Sequence, residues 1–171
     1  MNISKKIYKN SIYHLIKKNN LISYLLVISF FFLDRISKAK IIDHQLYNDQ
    51  IYINDYINFD LVWNTGIGFG FFSSNSSLIY NLISFTIGLI IIYVFYLLIK
   101  SMLFEKILFS LVLAGALGNF YDRLVYSAVP DFIDLHYKSF HWFTFNMADI
   151  FITLGIIMLL IKELLSKNET N

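Results

Sequence analysis

Carboxylates sit in this chain where an apolar sequence rarely keeps them. Asp122 closes one apolar segment, Asp131 and Asp134 lie in the polar-aromatic stretch after it, and Asp149 stands about one turn inside the next apolar segment. Ionisable groups at membrane depth usually face a protein interior or a water-filled cavity, and they read as functional. Asp34, in Asp34-Arg35-Ile36-Ser37-Lys38, is a further candidate. Asp34 and Lys38 are spaced i, i+4, so they share a helix face and can neutralise each other. Asp122 adjoins Arg123 and is assigned to pairing with it; Asp134 is assigned to a solvated loop. Asp131 has no cation within four residues, and Asp149 has none nearby either. Two carboxylates without local partners, at similar depth, suit an aspartic protease. Like charges in close contact resist joint ionisation, so one carboxyl keeps a proton while the other takes one from water. Polar anchoring without catalysis accounts for the same spacing, and both readings stand at this point. Amides accompany the carboxylates in Asn119-x-x-Asp122 and Asn146-x-x-Asp149, where each pair is expected to share a helix face.

Other chemistries fit less well. The four histidines are scattered and show no metal-ligand spacing such as H-E-x-x-H. His136 and His141, beside Tyr137 and Trp142, are expected in an interfacial aromatic belt. Cysteine is absent, which excludes thiolate metal sites, disulfides and a cysteine nucleophile. No G-x-S-x-G elbow or phosphate-binding loop occurs, and no metal or cofactor is expected. A net charge of +2, without a basic block interleaved with aromatics, argues against nucleic acid.

The elements that must hold these groups are membrane elements. Of 171 residues, 57% are hydrophobic and 15% charged, and mean hydropathy is +0.57. Such a composition describes a multi-span membrane protein rather than a soluble domain. The uncharged run Leu21–Leu33 covers only roughly 20 Å of helix, so the first span must continue through Asp34 and Lys38 to about residue 41. The further spans are expected at about 78–99, 107–123 and 145–161, giving one polytopic domain over residues 1–171. Lys5, Lys6, Lys9, Lys17 and Lys18 precede the first span without a small-residue cleavage site after it, which predicts an uncleaved cytoplasmic N-terminus. Four spans then put both termini in the cytoplasm, and the loops 43–76 and 124–144 outside with the acidic motifs. Ile57, Phe59, Leu61 and Trp63 alternate with polar or smaller residues and predict a half-exposed strand over 57–64. The glycines of Asn64-Thr-Gly-Ile-Gly-Phe-Gly70 supply turn chemistry after it. The expected fold is an all-α membrane protein of four transmembrane helices carrying a small extracytoplasmic β-sheet element and loop.

Five motifs, in order, resemble those of the lipoprotein signal peptidase (signal peptidase II) family. They are Asp34-Arg-Ile-Ser-Lys38, Asn64-Thr-Gly-Ile-Gly-Phe-Gly70, Gly115-Ala-Leu-Gly-Asn-Phe-Tyr-Asp-Arg123, Val129-Pro-Asp-Phe132 and Phe145-Asn-Met-Ala-Asp149. The resemblance spans about residues 20–162. It implies a bacterial inner-membrane aspartic endopeptidase that removes signal peptides from prolipoproteins, before a cysteine already carrying diacylglycerol. It implies further that Asp131 and Asp149 are the catalytic dyad. Asn64, Asn119, Arg123 and Asn146 would surround the substrate or hold the dyad, and Asp34 and Lys38 would be structural or substrate-facing. The implied partners are prolipoproteins, the lipid bilayer and a globomycin-like cyclic peptide inhibitor. Gly68 stands where the motif usually has alanine, and Pro130 precedes the first aspartate. The competing class is a small transporter or proton-relay subunit, since intramembrane carboxylates also serve proton relays.

Overall fold

The computed structural model describes residues 18–66 and 77–168 of the chain. Four helices carry most of it: α1 (Lys18–Gln45), α2 (Ser77–Lys100), α3 (Leu103–Tyr126) and α4 (Met147–Asn168). Between them lie β1 (Ile51–Asn54), β2 (Ile57–Asn64), β3 (Val129–Tyr137) and β4 (Phe140–Phe145), one antiparallel sheet in the order β1-β2-β3-β4. The chain is thus mostly helical with a small four-stranded sheet. The segment 124–144, expected as a loop, is instead the end of α3 followed by a β-hairpin. The glycine-aromatic residues 67–76 and the lysine-rich N-terminus lie outside the described residues.

The helices are built inside out relative to a soluble bundle. On α1 the buried residues are Asn20, Ser23, Val27, Asp34, Lys38 and Ile41, a seam of mixed three- and four-residue steps. Four of these are polar, whereas Leu21, Leu25, Ile28, Phe32 and Ile36 face outward. Where the surroundings are hydrocarbon, polar side chains gain most by turning toward other helices. By length and composition, Tyr80–Lys100 and Leu103–Tyr126 are apolar enough to cross a bilayer.

Helix α3 is central, packing against α1, α2 and α4. Its small residues permit this. A methyl group on Gly115 would stand 2.4 Å from the Ala148 carbonyl oxygen and 2.8 Å from Ile152, so α4 approaches too closely for any side chain there. The main apolar core joins Val27, Val94, Leu98, Val112, Leu113 and Ala114. A second core, Ile41, Phe132 and Ile133 with Phe59, Phe145 and Ile150 around them, fixes the sheet onto the ends of α1 and α4.

The predicted strand over 57–64 is present as β2. Its neighbours are β1 and β3, with Val62 opposite Asp131 and Asn64 opposite Val129. The register slips between Phe59 and Val62, and Gln45 from the end of α1 fills the irregularity. Its side-chain oxygen accepts from Leu61 N at 2.5 Å, and its amide donates to Phe59 O at 3.4 Å. Backbone groups displaced from the ladder thereby keep partners.

Candidate active site

Asp131 is the third residue of β3 and Asp149 the third of α4; the chain between them is the β3–β4 hairpin. Asn146 links the two. Its side-chain amide donates to Asp131 Oδ1 at 2.5 Å, and its backbone N–H donates to Asp149 Oδ2 at 3.2 Å. Asp149 N–H returns a bond to Asn146 Oδ1 at 3.2 Å. Asn146 therefore sits just before the helix as its cap, in a reciprocal capping box with Asp149. The shared helix face expected for this pair is replaced by that turn, because α4 begins at Met147 rather than at Phe145.

Further amides complete the surroundings. Asn64, the last residue of β2, donates to Asp131 Oδ2 at 2.9 Å. Asn119 donates from α3 to Asp149 Oδ1 at 2.8 Å. Among the described residues, no cation forms an ion pair with either carboxylate. Asp131 is buried, and its pKa is pushed up to about 6. Burial is the larger cause and the Asp149 charge the second, while the Asn64 and Asn146 bonds oppose both. An apolar cavity of about 310 Å³ opens beside Asp149, lined by Leu135, Phe143, Phe145, Ile150 and Leu154 among others.

A second cluster lies against the first. Lys38 is fully buried, and its ammonium donates to Asp34 at 2.9 Å, Asp122 at 2.7 Å and the Asn119 side-chain oxygen at 2.9 Å. Because that oxygen accepts from Lys38, the Asn119 amide must turn its N–H group toward Asp149. The other Asp34 oxygen accepts from Ala148 N–H at 3.0 Å, holding the first turn of α4. Gly118 makes room for this, since a methyl group there would stand 2.4 Å from Asp34. Arg123 donates to the carbonyl oxygens of Asn119 at 3.0 Å and Gly66 at 2.9 Å, and its buried Nε has no hydrogen-bond partner.

The eight site residues implied by the resemblance thus enter one connected set of bonds: Asp34, Lys38, Asn64, Asn119, Arg123, Asp131, Asn146 and Asp149. Three assignments change. Asp122 pairs with Lys38 and Arg35 rather than with Arg123, whose guanidinium turns to backbone carbonyls. Asp134 is not solvated; it is buried in β3, 2.7 Å from the ring of half-exposed His141 and 3.6 Å from that of buried His136. His136 therefore belongs to the sheet interior and not to an aromatic belt. The sequence reading also missed Arg35 and Tyr80. Tyr80 donates to Arg123 O at 2.9 Å across two helices, a pairing without local signature.

Bundle, sheet and enclosed carboxylates define a membrane enzyme of the aspartic peptidase class. Two solved bacterial membrane enzymes share the fold. One has a TM-score of 0.72 at 29% identity over 88% of this chain and 92% of its own. The other has 0.68 at 30% identity over 84% and 92%. Residues 26–165 match the model of signal peptidase (SPase) II, and the chain belongs to the signal peptidase II family. A lipoprotein signal peptidase of Pelagibacter ubique is 46% identical over 155 residues, 89% of this chain and 93% of that one. One of Anaplasma phagocytophilum is 38% identical over 142 residues, 81% and 89% of the two chains.

Proposed function

We propose that this chain acts as a lipoprotein signal peptidase through an Asp131–Asp149 dyad, cutting diacylglyceryl-modified prolipoproteins before the lipidated cysteine. One observation carries the assignment of the pair: a buried and a half-buried carboxylate are bridged by Asn146 and held by amides, with no ion pair to either among the described residues. A lone proton can then reside on either carboxyl. In the reaction, the ionised carboxylate takes a proton from water as that water attacks the scissile carbonyl. The protonated partner donates to the carbonyl oxygen as it gains charge. Asn64, Asn119 and Asn146 hold the carboxylates in place. Arg123 supports Asn119 through its carbonyl, while Asp34 and Lys38 fix α1 against α3 and α4. The apolar cavity beside Asp149 would take apolar portions of the lipidated substrate, and a globomycin-like cyclic peptide should compete for it.

In this reading all four helices span the bilayer, the single domain covers residues 1–171, both termini are cytoplasmic and the dyad lies at the outer face. Supporting it, the dyad sits where α3 ends and α4 begins, under the sheet, and not at mid-helix where a proton relay would be expected. Reporters placed after Asn171 and near Asn48 should therefore lie on opposite sides. The decisive experiment is cleavage by the purified chain of a prolipoprotein with and without diacylglycerol. Cleavage confined to the lipidated form is expected; equal cleavage of both would overturn the substrate assignment.

A further inference from the structure

The end of the bundle remote from the dyad carries a second polar concavity. The start of α1, the end of α2 and the start of α3 enclose about 440 Å³ there, with Lys18, Asn19, Asn20, Lys100, Ser101 and Lys106 in its wall. Along α1, Lys18 lies about 30 Å from Lys38, so this space is separate from the peptidase site. Among the described residues, three lysines line it and no carboxylate does. Glu105, next to Lys106 in sequence, forms an ion pair with Lys162 and hydrogen bonds with Met102 N–H and the Ser101 side chain.

The three ammonium groups differ in role. Lys106 is buried and donates to the carbonyls of Leu98 at 2.6 Å and Ile99 at 2.8 Å, closing the end of α2. This fixes one positive charge at the inner wall. Lys18 and Lys100 are exposed, with Lys100 lying 5.9 Å from the centre of the Tyr96 ring. Beside the opening the surface becomes apolar at once, through exposed Leu21, Leu25, Met102 and Phe104. A polar, positively charged recess adjoining an apolar helix surface matches a molecule with an anionic head and hydrocarbon tails. Basic recesses between membrane helices bind anionic lipid headgroups for this reason.

We infer that this recess binds the phosphodiester headgroup of an anionic phospholipid, with the acyl chains lying along α1 and α3. A free phosphate shares the headgroup chemistry but would gain nothing from the apolar flank. The test uses the full-length chain in detergent, with lipid retention read by native mass spectrometry. Phosphatidylglycerol should be retained at least about tenfold more strongly than phosphatidylcholine, because two to three lysine contacts distinguish them. Lys18→Gln and Lys100→Gln should each lower that preference about fivefold. Neither lysine closes a helix, so both variants should fold. Lys167→Gln, which removes an exposed charge at the same end but outside the recess, should change it less than about twofold. Three results would overturn the inference: retention of the preference in both recess variants, an equal loss in Lys167→Gln, or displacement of the lipid by millimolar inorganic phosphate.

Discussion

Two groups of carboxylates lie side by side in this molecule, buried except for half-buried Asp149, and they are treated in opposite ways. Asp34 and Asp122 receive cations: Lys38 bonds both, and Arg35 bonds Asp122. Asp131 and Asp149 receive amides from Asn64, Asn119 and Asn146 instead. A cation within a few ångströms offers a carboxylate an opposite charge and ties it to a neighbouring helix. An amide donates a hydrogen bond without bringing an opposite charge. The first group is suited to hold helices together, and the second to move protons. Asn119 joins them, since it accepts from Lys38 and donates to Asp149.

The largest expected effect tests that contrast directly. Asp131→Asn and Asp149→Asn should each lower cleavage by about 10⁴ or more, the upper end for lost acid–base function, because in the proposed mechanism the two share one proton. The fold should survive. The pKa of Asp131, about 6 in the fold, lies above an unfolded value near 3.9. Protonation therefore stabilises the fold below about pH 4, and this contribution is lost as pH rises through 6. At neutral pH the ionised carboxylate is a liability that asparagine removes. Thermal unfolding at pH 7 should show Asp131→Asn at least as stable as the parent. Near-normal turnover in either variant would show that the wrong pair was chosen.

Much of this arrangement was legible in the sequence, because local spacing carries it. Asp34 and Lys38 are one helical turn apart, and they do bond, at 2.9 Å. Among the described residues no cation forms an ion pair with Asp131 or Asp149, although Lys38 and Arg123 come close enough in space to act on both electrostatically. The strand over 57–64 followed from its alternation. What stayed hidden depends on long-range packing. Arg35 and Asp122 are 87 residues apart, and nothing local marks their pairing. The neighbour Arg123 was the wrong partner for Asp122 because adjacent helical residues point about 100° apart. The hairpin at 129–145 was read as loop because β3 is buried nearly throughout. A strand covered on both faces lacks the two-residue alternation used to find strands. The cross-strand pairing of His136 with His141 was invisible for the same reason.

Next in size is the converse substitution. Lys38→Met should leave Asp34 and Asp122 enclosed without their shared cation. Breaking a buried pair in this way typically costs about 3–5 kcal/mol. A lower unfolding midpoint is expected, together with partial loss of activity through the freed Asn119 amide. Lys38→Arg should recover little, because the cavity is fitted to one ammonium that reaches three acceptors at 2.7–2.9 Å. An unchanged midpoint in Lys38→Met would remove the structural half of the comparison.

A smaller change should sharpen the other half. The Asn64 bond lowers the Asp131 pKa against burial and the Asp149 charge. Asn64→Ala should therefore raise it, by roughly half to one pH unit for one hydrogen bond. In the proposed mechanism the pair carries one proton, so activity falls on the alkaline side where that proton is lost. In Asn64→Ala, the alkaline limb of kcat/KM should move to higher pH. A limb that stays in place, or moves to lower pH, would mean that Asp131 does not govern it.

The smallest effect is expected at Asp134, and its smallness is informative. Asp134 lies three residues from Asp131 in the same strand and is equally buried, at 4% against 3% exposure. An odd spacing puts the two side chains on opposite faces of a regular strand. Asp134 faces imidazoles rather than amides, 2.7 Å from His141 and 3.6 Å from His136. Its neighbour His141 is more than half exposed, so water screens the contact and supplies a substitute partner. Asp134→Asn should cost about 1 kcal/mol of stability, the scale of one net hydrogen bond. Turnover should remain within about threefold of the parent, because general acid–base loss would be far larger. Cleavage and unfolding measured on the same preparation separate the two. Loss of cleavage as deep as in Asp131→Asn, with the fold intact, would move the chemistry to the other face of β3.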